Sequence, residues 1–266
     1  MITVRHILGH TSGLSASGWA TVEVDPPDDF LKLALDQQLV REPGSEAEYN
    51  NLAGMVLPAM IERVSGRGFL DFVGGEVFEP LGITDWAWET DVAGHALSMA
   101  TLCLSAVDLN RIGRLLLEGL DGRSELLSAE WLARCAQPVL PNAPGFGLGV
   151  FLHPDSGCFG HTGSGGQHLW CYPSSGLVIS RLRDNRLPDG GFSLGSKDQW
   201  LQELPTLGAR VGWQTLHAEG PSRVVTGVTL PRRVPGQRSV AGGCYRPRRV
   251  PGKGARWSSP APDRCG

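Results

Sequence analysis

Two short polar stretches carry the residues of this sequence that are best suited to chemistry. PGSEAEYNN, at residues 43–51, ends in a phenol at Tyr49 and a carboxamide at Asn51 just before an apolar run. FGHTGSGG, at residues 159–166, places the imidazole of His161 and the hydroxyl of Thr162 among four glycines. A glycine inside a strand marks a bulge, or a place where a ligand or another backbone comes close. The second stretch therefore predicts such a close approach.

Each of these residues also has a purely structural explanation. A tyrosine ahead of a helix is often a packed aromatic whose hydroxyl has a hydrogen-bond partner. Asn51 could cap the helix that follows it, and the glycines of residues 163–166 could form a plain hairpin turn. From the residues alone, both interpretations stay open.

A covalent hydrolase also needs an activated nucleophile, such as a serine followed three residues later by lysine. The chain has three lysines, and the residues three positions before Lys32, Lys197 and Lys253 are Asp29, Leu194 and Val250. Ser12 and Ser164 stand in the polar segments, but neither has Lys or His three residues later. No Ser-x-x-Lys therefore exists in these 266 residues.

Histidines and cysteines raise the question of a metal site. His6 and His10 are four residues apart, which could place both on one helix face, but no third ligand is evident. The six cysteines form no CxxC pair and predict scattered reduced thiols. Cys158 and Cys171 flank the second polar stretch and could approach each other across a hairpin. We expect no metal site and no disulfide framework.

The elements that position these residues change character along the chain. Apolar spacing and breakers predict helices over 3–8, 28–39, 52–64 with a kink at Pro58, 105–119 closed by Gly119, and from Ser128. Short apolar or alternating runs follow at 145–152, 158–163, 167–173 and 176–183, which predict an antiparallel meander. Helices followed by a meander indicate an α+β fold.

The last part of the chain has a different composition. Residues 214–266 carry ten Lys and Arg against two acids, although the whole chain has a net charge of −3. They also hold seven prolines and the sequence PRRVPG twice. This composition predicts a disordered segment over 206–266. A basic nucleic-acid-binding tail is one interpretation; we favour the other, a sequence read out of its native frame.

Three segments in order resemble the serine β-lactamase-like and penicillin-binding-protein-like hydrolases, over roughly residues 1–205. ITVRHILGHTSGL at 2–14 resembles the segment that follows the nucleophile helix in that family. PGSEAEYNN resembles its Tyr-x-Asn box, and FGHTGSGG resembles its Lys/His-Thr/Ser-Gly box on a strand of the sheet. The family includes class C β-lactamases, D-alanyl-D-alanine carboxypeptidases, esterases and 6-aminohexanoate-dimer hydrolases.

The resemblance implies roles for individual residues. Tyr49 would be the general base or proton relay, Asn51 would bind the substrate amide or orient a lysine, and His161 would supply a donor or positive charge. Thr162, Gly163 and the backbone N–H of Ser164 would bind the substrate and its oxyanion. The implied ligand is a small amide, lactam or ester, with no cofactor, no metal and no nucleic acid.

The resemblance also implies what this chain lacks. In the family, the Ser-x-x-Lys box precedes the segment that residues 2–14 resemble, so we expect the N-terminal strands and the nucleophile helix to be missing and the chain to be inactive. Apolar faces on Leu115, Leu116, Trp170 and Ile179 should then lack partners. The alternative is a non-catalytic binding protein that keeps the substrate groove. The sequence shows neither a signal peptide nor a membrane-spanning apolar run, and the location in the cell is left open.

Overall fold

The protein is described here from a computed structural model, which covers residues 1–17, 27–163 and 167–182 and two short strands at 215–216 and 224–225. The described residues fall into two compact units, one of Met1–Cys103 and one that begins at Leu104. Helices make up the regular structure of the first unit, whereas the second combines helices with a sheet. The predicted α+β class is therefore confirmed.

Short helices build the first unit. They are α1 (Val4–Leu8), α2 (Phe30–Leu35), α3 (Asn51–Gly54), α4 (Val56–Ser65) and α5 (Phe69–Val73), the last continued by a π-helical turn at Gly74–Phe78. A buried apolar cluster joins them, formed by Phe30, Ala34, Leu52, Met55 and Leu97. The core of this unit thus draws on α2, α3 and the segment after α5.

The helix predicted over 52–64 is interrupted. It begins one residue early and is split at Met55 into α3 and α4, and Gly66 ends it with a φ of 69°. Pro58 lies in the first turn of α4, where its missing N–H is tolerated. The carbonyl of Gly54, four residues before that proline, instead accepts a hydrogen bond from Ser98 Oγ at 3.1 Å.

The helix predicted over 28–39 ends at Leu35, because the chain then turns to run beside the segment after α1. Leu39 forms a bridge with Leu14, and the N–H groups of Val40 and Arg41 donate to the carbonyl of Gly13. Gly13 has a φ of 72°, and a Cβ there would lie 2.3 Å from the Arg41 carbonyl oxygen. Only glycine fits that position.

In the described residues of the second unit there are two α-helices and a sheet. The helices are α6 (Ala106–Leu120) and α7 (Ala129–Cys135); the strands are β1 (Phe151–His153), β2 (Cys158–Gly163), β3 (Gln167–Tyr172), β4 (Leu177–Arg181), β5 (Thr215–Leu216) and β6 (Val224–Val225). The strand order is β1-β2-β3-β4-β6-β5, and β1 to β4 form the predicted antiparallel meander. Strand β1 is shorter than the run at 145–152 suggested.

The sequence predicts where helix α6 starts but not where it ends. Ser105 Oγ accepts from the Asp108 N–H at 3.0 Å, which is one of the two bonds of the predicted capping box; the Asp108 carboxylate accepts from Ser105 Oγ at 2.7 Å. Gly119 does not end the helix, which continues to Leu120. A Cβ at Gly119 would lie 2.4 Å from Leu132 Cδ1 of α7, so this glycine serves helix packing.

The two faces of the meander carry separate apolar clusters. Helix α6 covers one face, where Leu117 packs with Phe159, Leu169, Cys171 and Val178. The other face carries Cys158, Trp170, Tyr172 and Ile179. Cys171 pairs with Phe159 across the hairpin, which places the two cysteines on opposite faces. The predicted approach of Cys158 to Cys171 is therefore wrong.

The expected lack of partners for four apolar residues is also wrong. Leu115, Trp170 and Ile179 are buried, and Trp170 is 0% exposed. Leu116 packs against the cluster that α6 shares with the sheet. These side chains have neighbours within the chain as it stands.

Four residues of the predicted disordered segment take part in the sheet. Strand β6 runs parallel to β4 and pairs Val224 with Val178, and β5 pairs with β6. The prediction of disorder over 206–266 therefore does not hold for these four residues, and the rest of that segment lies outside the described residues. Among the described residues, no helix has the length and apolar character needed to cross a membrane.

Candidate active-site residues

The Tyr-x-Asn box lies where the chain enters α3. Asn50, the residue between Tyr49 and Asn51, is the N-cap of this helix, and its Oδ1 accepts from the Ala53 N–H at 3.0 Å. The alternative that Asn51 caps the helix is therefore wrong, since Asn51 is its first residue. Asn51 remains partly exposed, which leaves its carboxamide at the surface of this helix end.

Asn50 also anchors the box to the segment that follows α1. The side chain is 4% exposed, and its Nδ2 donates to the Leu14 carbonyl at 3.2 Å. Gln37 Nε2 donates both to Asn50 Oδ1 at 3.3 Å and to the Ser15 carbonyl at 2.6 Å. Sequence reasoning missed this role, and its signal was the preference of asparagine for the residue just before a helix.

Tyr49 presents its ring at the surface of the first unit. It is 40% exposed, and its ring centroid lies 4.6 Å from that of His10, with 46° between the planes. Partial burial raises the pKa of the Tyr49 phenol above its ordinary value of about 10. At neutral pH the phenol is therefore protonated and can donate a proton rather than accept one.

His161, Thr162 and Gly163 form the end of strand β2. Strand β3 pairs with β2 from Phe159 to Gly163, whereas β1 pairs with it only from Cys158 to Gly160. Among the described strands, none pairs with the outer edge of β2 at residues 161–163. An unpaired strand edge offers backbone groups to which an extended ligand can bind.

His161 is held against the sheet by two contacts. Its ring centroid lies 4.6 Å from that of Phe151, and its Nδ1 lies 3.0 Å from the Thr162 carbonyl oxygen. A carbonyl only accepts, so Nδ1 carries a proton there. Desolvation of the ring lowers the pKa of His161 below its usual value. The neutral ring that results has Nε2 as a hydrogen-bond acceptor.

The glycines of the second polar stretch have different surroundings. A Cβ at Gly160 would lie 1.9 Å from the Leu169 carbonyl oxygen, so the approach of β3 explains that glycine. A Cβ at Gly163 would lie 3.3 Å from Gln167 Cβ, a tight contact with a side chain rather than a clash with backbone. Thr162 Oγ1 is buried and, within the described part of the chain, has no hydrogen-bond partner. Ser164 lies outside the described residues.

The predicted site residues thus fall into two groups. Tyr49 and Asn51 belong to the first unit, and His161, Thr162 and Gly163 belong to the second. His6 and His10 do not share a helix face, because α1 ends at Leu8 and His10 lies beyond it. In the part of the chain that the structure describes, no three His, Cys, Asp or Glu side chains cluster as metal ligands would.

Comparison with known proteins gives three findings. The family model described as Beta-lactamase matches residues 1–188. Penicillin-binding protein 4* of Bacillus subtilis (strain 168) is 30% identical over 105 residues, 36% of this chain and 22% of that protein. The candidate beta-lactamase of Bacteroides dorei DSM 17855 superposes with a TM-score of 0.59 at 23% identity, covering 77% of this chain and 71% of that one.

A second solved structure shares the fold. The candidate 6-aminohexanoate-dimer hydrolase of Bacillus anthracis superposes with a TM-score of 0.57 at 20% identity, covering 65% of this chain and 53% of that one. At these identities the two structures establish the fold alone. The match to the curated relative spans about a fifth of that protein's length.

Proposed function

Because the chain belongs to the Beta-lactamase family, we propose that it is part of a serine hydrolase that acts through an acyl-serine intermediate on an amide, lactam or ester. The observation that carries this proposal is the family match over residues 1–188, which contains the Tyr-x-Asn box and the His-Thr-Gly box in their expected order. A small-molecule substrate accords with that family.

In this proposal the Tyr-x-Asn box supplies proton transfer. A serine hydroxyl attacks the substrate carbonyl, and its proton passes to the leaving group as the C–N or C–O bond breaks. Tyr49 relays that proton, and Asn51 binds the substrate amide. The raised pKa of the phenol means that Tyr49 needs a nearby cation before it can give up its own proton at neutral pH.

The His-Thr-Gly box supplies the strand edge. The substrate lies beside His161–Gly163 as an added strand, and Gly163 leaves room for it. The N–H of Ser164 is one donor to the developing oxyanion, and a donor of this kind is worth about 3 kcal/mol in acyl transfer. The resemblance implied a donor or positive charge at His161; with Nδ1 directed at the Thr162 carbonyl and the ring neutral, we instead propose that His161 offers Nε2 as an acceptor to a substrate N–H or O–H.

The 266 residues contain no Ser-x-x-Lys, so we expect this chain by itself to have no hydrolase activity above background. Purified protein is incubated with p-nitrophenyl esters, with nitrocefin and with a fluorophosphonate probe. The expected result is no turnover and no covalent label. A label on any serine, abolished by substitution of that serine, would show that the chain carries its own nucleophile and would overturn the expectation of inactivity.

The alternative, a binding protein without catalysis, makes a different prediction. Coding DNA upstream of Met1 is sequenced and the longest in-frame extension is expressed with this chain. A hydrolase predicts a Ser-x-x-Lys in the extension, a fluorophosphonate label on that serine, and loss of turnover in Tyr49→Phe. An extension without that box, together with saturable substrate binding and no turnover, would favour the binding protein.

A further inference from the structure

The second residue after helix α1, His10, has an unusual backbone conformation. His10 has a φ of 55°, and Thr101 is the other non-glycine residue with a positive φ among those described. The N–H of His10 donates to the Ile7 carbonyl and that of Thr11 to the His6 carbonyl. These two bonds form a Schellman motif, in which the left-handed position is usually glycine.

A histidine at a position that favours glycine suggests a role for its side chain. His10 makes three contacts with the Tyr-x-Asn box. Its carbonyl accepts from the Glu48 N–H at 2.8 Å, its Nδ1 accepts from the Asn50 N–H at 3.3 Å, and its ring lies against that of Tyr49. His10 therefore contacts Tyr49 itself and also the residues just before and after it, Glu48 and Asn50.

We propose that His10 is a positioning residue, which fixes the orientation of the Tyr49 phenol through its ring contact and its hydrogen bond to the next residue. This inference rests on the proposed function for the catalytic importance of Tyr49. The orientation itself is a property of this chain and can be measured without turnover.

Substitutions can separate the effect of the His10 backbone conformation from the effect of its side chain. His10→Gly removes the ring and the Nδ1 acceptor but suits the left-handed conformation, so the end of α1 is preserved. His10→Asn also tolerates this conformation, and its Oδ1 can accept from the Asn50 N–H in place of Nδ1. Thr101→Gly is the matched control, because it relieves a left-handed residue elsewhere in the same unit.

The test uses the full chain with ring-¹³C-labelled tyrosine. The chain has three tyrosines, and Tyr49→Phe identifies the Tyr49 resonance. We expect His10→Gly to move this resonance toward its position in an unfolded peptide and to lower the midpoint of the Tyr49 titration, since the ring that shields the phenol is gone. His10→Asn should keep the Asn50 N–H resonance near its wild-type position but shift the Tyr49 ring, and Thr101→Gly should change neither.

Two outcomes would overturn the proposal. One is a folded His10→Gly variant, checked by circular dichroism, whose Tyr49 resonance and titration midpoint match the wild type; His10 would then only end the helix. The other is an equal change of the Tyr49 resonance in Thr101→Gly. Neither result bears on whether a serine in this chain reacts with fluorophosphonate, so the failure of this inference and the failure of the proposed function are distinguishable.

Discussion

His168, the second residue of strand β3, is a titratable residue to which the proposed chemistry gives no part. It is 2% exposed, and neither ring nitrogen has a hydrogen-bond partner among the residues that the structure describes. Its cross-strand neighbours are Thr162 on β2 and Arg181 on β4. Burial, with a smaller contribution from the charge of Arg181, lowers the pKa of His168 to about 4. The folded protein therefore keeps this ring neutral.

This residue should make stability depend on pH. Between about pH 6.5 and 4 the unfolded chain binds a proton at His168 and the folded chain does not, so stability falls as the pH falls through this window, by about 3 kcal/mol in all. His168→Leu should remove this contribution. At pH 7 the variant should be within about 1 kcal/mol of the wild type, because no hydrogen bond is lost.

Urea denaturation of both proteins at intervals from pH 4 to pH 7.5 measures the effect. The difference between the two curves isolates His168 from the other titrating groups. Parallel stability profiles would show that this ring titrates equally in the folded and unfolded states.

At the scale of elements, the sequence predicted the helix starts and strand boundaries that depend on residues close together in the chain. Ser105 and Ser128 cap the helices that were expected to start there, and the turn residues separate the four strands of the meander. Contacts distant in sequence decided the rest. The chain leaves α2 early to meet Gly13, and Gly119 is required by α7 rather than by a helix end.

The candidate site residues divide in the same way, into those that a local motif identifies and those that only contacts distant in sequence identify. The sequence could identify Tyr49, Asn51 and His161, since each lies in a short contiguous motif. Asn50 could also have been identified as an N-cap from its place before the helix, but its link to His10 could not, because that link rests on a hydrogen bond between residues 40 positions apart and on a backbone conformation. A sequence pattern contains neither of these.

Packing of α6 on the sheet gives a prediction at this scale. A Cβ at Gly113 would lie 2.4 Å from Val178 Cγ1 and 2.9 Å from Leu169 Cδ1. Gly113→Ala should therefore destabilise the protein by about 1–3 kcal/mol through overpacking, despite the better helix propensity of alanine. Gly54→Ala is the matched control in another helix, since a Cβ there meets nothing within 4 Å.

Chemical denaturation of the two variants gives the comparison. We expect Gly54→Ala to be neutral or stabilising by up to about 1 kcal/mol. Equal effects of the two substitutions would mean that α6 and the sheet can move apart to accept a methyl group.

The whole molecule combines an acidic body with a basic C-terminal segment. Residues 1–213 carry 14 Lys and Arg against 25 acids, whereas residues 214–266 carry ten against two. Composition alone predicted that the second segment would not fold, yet β5 and β6 join the sheet from within it. Strands β5 and β6 have two residues each, which is too short for an alternating apolar pattern to be recognised in the sequence.

Removal of residues 214–266 should test how much these strands contribute. Strand β6 adds two residue pairs to β4, and a backbone hydrogen bond contributes about 1 kcal/mol net. We therefore expect truncation after residue 213 to lower the free energy of unfolding by about 1–2 kcal/mol and to leave the circular dichroism of the helices unchanged. A truncated chain that does not fold would show that the C-terminal segment is part of the core.

The left-handed conformation of His10 has a consequence for anyone who engineers this protein. Glycine is the residue that design rules recommend at this position, because it relieves about 1–2 kcal/mol of left-handed backbone strain. The same exchange removes the acceptor of the Asn50 N–H and the ring that lies against Tyr49. A design rule that scores backbone conformation alone would therefore choose His10→Gly and lose the phenol's orientation, so position 10 should be held fixed wherever that orientation matters.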